Sequence, residues 1–149
     1  MVVDASAIVA ILAEEPISAA VVAALEADRS PVVVSPLTVF EAALGLARKR
    51  SPPARPSTPS DIEKAARAVE DLLREIDAEQ VPISADLART AIAAAARFGR
   101  AVGHPARLNF GDCFSYALAA ARAEPLLFVG GDFTETDARS VLADPRPPR

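Results

Sequence analysis

Apolar residues fall along this chain in two registers. Short apolar runs, many of them β-branched, at Met1 to Val3, Val32 to Val34 and Leu126 to Val129, with a weaker Gln80 to Ile83, are each bounded by turn residues and read as strands. Between them lie Ala-rich segments of helical length, and Ala carries the lowest helix cost of any residue. Strands alternating with such segments predict an α/β fold: a short, largely parallel sheet flanked by helices on both faces, with right-handed crossovers. Ser60-Asp61-Ile62-Glu63 has capping-box spacing and predicts a helix from Ser60 to about Asp77, and another is expected from Ser84. Four prolines between Lys49 and Pro59 mark an exposed loop between helices. The tail Asp144 to Arg149 holds three more and is expected to fray, leaving residues 1–143 as one domain.

Composition narrows the function. A length of 149 residues suits one sizeable core and excludes two full domains. With 16 Lys plus Arg against 20 Asp plus Glu, the net charge of -4 disfavours a nucleic-acid binder that relies on overall basic charge. One Cys and one His preclude a disulfide framework or a Cys/His zinc cage within the chain. The absence of Trp, with one Tyr and six Phe, argues against a platform of stacked aromatics for single strands. The uncharged runs Ala5 to Ala13 and Ile17 to Leu25 are too short to span a bilayer, and Met1-Val2-Val3-Asp4 enters a strand with no basic leader before it. A cytoplasmic protein with no membrane partner is expected.

The carboxylates carry the chemistry. Asp4 ends the first strand, Asp132 follows the last through Gly130-Gly131, and Asp112 opens the helix after Asn109-Phe110-Gly111. Strand carboxyl ends and helix amino ends share the edge where open α/β sheets bind ligands. Glu41 sits in the helix after the second strand, beside apolar Leu37, Phe40 and Leu44, which keeps it near the sheet. Any one of these acids alone would pass as a helix cap, a turn residue or a solvated charge. Together at one edge they repel and raise one another's pKa unless a cation offsets them. All are oxygen donors, so Mg²⁺, with Mn²⁺ as substitute, fits better than Zn²⁺, and Asp4 and Asp112 are the expected ligands. Such a centre suits hydrolysis of phosphodiesters by a metal-activated water, with a further carboxylate orienting or deprotonating it. Basic windows at Arg48, Lys49, Arg50 and Arg55, and at Arg89, Arg97, Arg100, His104 and Arg107, offer local fields that steer a polyanion. Cys113 reads as a buried hydrophobe and His104 as a loop residue.

Three segments, VVDASAIVAIL from Val2, SPLTVFEAALGLARKR from Ser35, and LNFGDCFSYALA from Leu108 running on to LLFVGGDFTETD, together resemble the PIN-domain ribonucleases of the VapC toxin type. The match covers nearly the whole chain in order. It implies a metal-dependent endoribonuclease with acids at Asp4, Glu41 and Asp112, Asp132 at a more variable fourth position, and Ser6 supporting Asp4. It also implies a VapB-type antitoxin that masks the site, and a toxin homodimer. The apolar pairs Ile8-Val9-Ile11-Leu12 and Ile17-Val21-Val22-Leu25 offer surface for such contacts. Two departures bear on partner choice: the Pro-rich insertion at Ser51 to Pro59, and Gly131 where a polar residue often precedes the Asp. A dehalogenase-like phosphatase needs an Asp where Ser6 stands, and a receiver domain needs a phosphoacceptor near Val81-Pro82-Ile83-Ser84, so neither rival fits. The alternative is a PIN scaffold without catalysis that binds an antitoxin or other protein.

Overall fold

Helix caps cut the strands shorter than the apolar runs that encode them. In the computed structural model, which describes residues 1–146, the chain runs β1 (Val2–Val3), α1 (Ala5–Leu12), α2 (Ser18–Ala27), β2 (Val33–Val34) and α3 (Pro36–Arg50). It continues through α4 (Pro59–Glu75), β3 (Glu79–Gln80), α5 (Ala85–Phe98), a 3₁₀ turn (Arg100–Val102), α6 (Phe110–Arg122) and β4 (Leu126–Leu127). Asp4 ends β1 by capping α1, and Ser35 ends β2 by capping α3, whose first turn opens with Pro36. Past β4 the Val129 N–H turns away to donate to Ser6 Oγ at 3.0 Å. Strand β3 starts one residue earlier than the weaker Gln80 to Ile83 signal and stops early because its only partner does: the Glu79 and Val81 N–H groups donate to the Val32 and Val34 carbonyls, and beyond Val34 the chain of β2 turns into α3 at Ser35.

All strands are parallel, in the order β3-β2-β1-β4, with Val2 opposite both Val33 and Leu126. The outer edge of β4 is occupied by the Arg139–Val141 segment, which receives and returns a hydrogen bond at Leu126. Successive strand residues point to opposite faces. Val2, Val33 and Leu126 therefore join Leu118, Ala91 and Phe98 from α5 and α6, while Val3, Val34 and Leu127 join Ile8, Val21, Leu46 and Val69 from α1 to α4. Helices on both faces, as the pattern predicts, bury both sides of the sheet and leave its carboxyl edge open.

Two further boundaries differ from the sequence reading. Helix α4 is capped by Thr58 and not Ser60: Pro59 is best spent at the first helical position, so the box forms between Thr58 and Asp61, with Asp61 Oδ2 accepting the Thr58 N–H at 2.8 Å. Arg55 reaches the same carboxylate at 3.0 Å and fastens the Pro-rich loop to the helix. The expected tail is held at its start, since buried Pro145 accepts the Gly130 N–H at 2.9 Å; residues 147–149 lie outside the described part. Among the described residues no helix is long and apolar enough to cross a membrane.

Candidate active site

One cleft of about 380 Å³ at the carboxyl edge of the sheet is lined by Asp4, Glu41, Asp112 and Asp132, so the structure brings together all the acids singled out above. Each arrives on a different support. Asp4, 5% exposed, is held by three donors: the Ser6 N–H and hydroxyl at 2.9 and 2.6 Å on Oδ1, and the Ser115 hydroxyl at 2.7 Å on Oδ2. Ser6 in turn accepts the Val129 N–H, which ties β4 to α1. Asp112 is the third residue of α6, in a capping box with Asn109; its Oδ2 accepts the Asn109 N–H at 2.7 Å and its Oδ1 makes no hydrogen bond within the described residues. Asp132 is exposed on a loop anchored by Phe133, which packs on Phe128 at 4.9 Å between ring centroids, and bent at Gly130, whose φ of 111° few other residues adopt.

Glu41 is the most perturbed group. It makes no hydrogen bond or ion pair within the described residues, and burial followed by the charges of Asp4 and Asp112 pushes its carboxyl up to about 7. Asp112 is pushed up to about 6, by burial first and by Asp4 and Asp132, against the lowering pull of the Asn109 N–H and Arg100. The acids crowd one another without closing into a three-ligand cage among the described residues. Hard oxygen donors that raise one another's pKa are a set whose repulsion a divalent cation relieves, so the residues fit Mg²⁺ or Mn²⁺ on chemical grounds.

Two supports escaped the sequence reading. Ser115 is one; its signal is a small hydroxyl among the buried residues of α6, three residues after Asp112. Gly111 is the other: any Cβ there would overlap the Glu41 carboxylate, so the glycine makes room for it. Gly111→Ala should displace Glu41 and lower RNA cleavage more than about tenfold. Because the obstructing atoms end a flexible side chain, and Ala favours a helix by roughly 0.5–1 kcal/mol over Gly, the melting temperature should hold or rise. Equal activity in the variant would show that Glu41 has no fixed place in the chemistry.

The basic windows are largely spent within the fold. Lys49 pairs with Glu15, another lining residue of the cleft, Arg50 donates to the Leu12 carbonyl, Arg55 pairs with Asp61, Arg89 with Asp86 and Arg97 with Asp137. Arg48, Arg100 and Arg107 remain without ion pairs among the described residues, so steering rests on fewer charges than the sequence pattern offers. His104 is a loop residue whose Nδ1 accepts the Ala106 N–H at 3.1 Å, and Cys113 is buried with its thiol pushed up by that burial.

Comparison with known proteins agrees with this geometry. Residues 1–139 match the family model described as PIN domain. The chain is 42% identical over 142 residues to Ribonuclease VapC28 of Mycobacterium tuberculosis, covering 95% of this chain and 98% of that protein. It is 38% identical to a VapC ribonuclease of Rhizobium meliloti, covering 91% and 96%. In fold it is similar to the crystal structure of Mycobacterium tuberculosis VapC20, described as a Sarcin-Ricin loop cleaving toxin, with a TM-score of 0.67 at 18% identity over 92% of this chain and 95% of that one.

Proposed function

Since the chain belongs to the PIN-domain family, alongside the VapC ribonucleases, we propose that it is a Mg²⁺-dependent endoribonuclease and the toxin of a VapBC-type pair, acting in the cytoplasm. The observation that carries the reading is Glu41: a cap or turn role accounts for Asp4, Asp112 or Asp132 singly, but none accounts for an unbonded carboxylate in the same cleft as two others whose charges it feels. A scaffold without catalysis would keep that repulsion for no return.

Asp4 and Asp112 are assigned as the metal ligands. A bound divalent ion supplies charge neutralisation at the phosphoryl oxygen and lowers the pKa of water. Ser6 and Ser115 fix the Asp4 carboxylate, and the Asn109 N–H fixes one oxygen of Asp112 while leaving the other free. Glu41, which lines the same cleft and makes no hydrogen bond among the described residues, would take a proton from the attacking water. Asp132, on the open side of the cleft, helps to orient that water.

For the antitoxin, a groove of about 720 Å³ between α1, α2 and α4 combines apolar Ile11, Val22, Leu25 and Ile76 with acidic Glu26, Asp28 and Glu75. It suits an apolar segment with basic flanks. Ile8, Ile17 and Val21 are consumed by the protein's own core, which leaves the N-terminal helices less surface than their sequence advertises. The homodimer is therefore proposed on the family resemblance alone.

The test is cleavage of cellular RNA by purified protein free of any partner. Attack by water with departure of the 3′-oxygen leaves a 5′-phosphate and a 3′-hydroxyl, whereas attack by the RNA's own 2′-hydroxyl leaves a cyclic phosphate. The second route lacks its usual pair of groups here, since His104 is the only imidazole and is bonded into its own loop. Mapped ends should carry 5′-phosphates, with cleavage lost in EDTA and restored by Mg²⁺ or Mn²⁺. Cyclic-phosphate ends, or undiminished cleavage in chelator, would contradict the mechanism.

A further inference from the structure

Beside the acid cleft, between α5 and α6, lies a second depression of about 390 Å³, and Asn109 lines both. Its walls are apolar, with Ile92, Ala95, Leu108, Phe110 and Phe114 contributing, and exposed Arg100 is the one cation among them. Phe110 is 66% exposed, although it stands only two residues before Asp112. Its ring packs edge-on against Phe114 at 5.1 Å between centroids, which holds one of its faces toward open space. Arg100 has no ion pair among the described residues, and its charge is felt at the Asp112 carboxylate.

We propose that this trough seats one nucleobase beside the phosphodiester bond being cleaved, with Phe110 stacking on the base and Arg100 holding the neighbouring phosphate. The inference rests on the ribonuclease reading above and adds to it a residue that positions substrate. Continuity through Asn109 places any occupant of the trough next to the site acids. A ligand that presents a flat π-face to an apolar wall and a negative charge to an unpaired guanidinium is a nucleotide. The scarcity of aromatics excludes a platform for many bases, but one exposed ring suffices for one. Stacking tolerates every base, so this subsite sets register and affinity and not base identity.

Binding of a short single-stranded RNA carrying 2-aminopurine tests the proposal, in calcium buffer so that binding is read apart from cleavage. The fluorophore should be quenched by the wild-type protein. Phe110→Ala should weaken Kd about tenfold and abolish the quench, while Phe110→Trp should keep both. Replacing the seated base by an abasic site should cost the wild type about tenfold and Phe110→Ala nothing. With Mg²⁺, the loss in Phe110→Ala should fall mainly on KM, and its melting temperature should not drop. Unchanged Kd and KM in Phe110→Ala would overturn the proposal, as would a changed molecular mass with RNA affinity intact, which would make the trough a protein contact. A wild-type protein that neither binds nor cleaves RNA would instead overturn the ribonuclease reading itself.

Discussion

Asp4→Asn and Asp112→Asn should each reduce RNA cleavage by more than about 100-fold while leaving the fold intact. Loss of a group that merely supports a metal ligand costs 10–100-fold in metal affinity or activity, and a ligand itself should cost more. Each swap keeps volume: at position 4 the amide oxygen still accepts from Ser6 while the amide NH2 donates to the Ser115 hydroxyl, which turns to accept, and at position 112 the amide oxygen still accepts the Asn109 N–H. The circular dichroism spectrum should therefore be unchanged. Wild-type cleavage by either soluble variant would remove these residues from the site. Ser115→Ala, which leaves the charge of Asp4 and deletes one donor, should fall between the variants and the parent.

The metal-free protein should lose stability as pH rises, in the opposite sense to most acid-rich proteins. Glu41 has a folded-state pKa of about 7 against an ordinary 4.5, and Asp112 about 6 against 3.8. Below pH 3.8 both are protonated in the folded and unfolded chain alike and nothing is lost. Between those values the unfolded chain sheds its protons first, so folding is penalised increasingly until both groups have ionised above pH 7. Solvent reaches the cleft and softens both the burial cost, which is the larger cause, and the repulsion, which puts the penalty at roughly 1–2 kcal/mol per group, below the full 1.4 kcal/mol per tenfold change in proton affinity. Glu41→Gln and Asp112→Asn should accordingly melt several degrees above the wild type at pH 8 in EDTA, at about 2–4 °C per kcal/mol for a chain of this size. The same substitutions should abolish activity. If the acids were ordinary caps and solvated charges, the variants would melt at or below the wild type, and thermal melts across pH 4 to 8 separate the two cases.

Much of this was legible in the residues. Strand runs bounded by turn residues, with helical segments between them, gave the parallel sheet and its two covered faces, because burial on both sides demands apolar residues at successive positions in Val2-Val3 and Val33-Val34. Asp4, Asp112 and Asp132 were found because they fall at strand ends and a helix start, places that topology brings to one edge, and Glu41 because its apolar neighbours Leu37, Phe40 and Leu44 keep it near the sheet. The Thr58 cap was missed because two overlapping boxes, Thr58 with Asp61 and Ser60 with Glu63, fit the same local rule, and only the preference of Pro59 for the first helical position separates them. Ser115 and Gly111 were missed for another reason. Each acts across the fold, on Asp4 from 111 residues away and on Glu41 from a different helix, and no local spacing encodes such a contact. Charge patterning misled most, since the sequence counts Lys49, Arg55, Arg89 and Arg97 as free cations while the fold pairs each with an acid.

The claim at the centre of this account is that the crowded carboxylates form one divalent-metal centre, and calorimetric titration of the chelator-treated protein with Mn²⁺ at pH 6.5 in two buffers of different ionisation enthalpy tests it most directly. Glu41 and Asp112 are then partly protonated, so wild-type protein should bind Mn²⁺ with release of protons, and binding should tighten as pH rises through 7. Asp4→Asn and Asp112→Asn should weaken the affinity more than about 100-fold, beyond the range for supporting partners. Binding of equal strength in wild type and both variants, with no protons released, would contradict the claim.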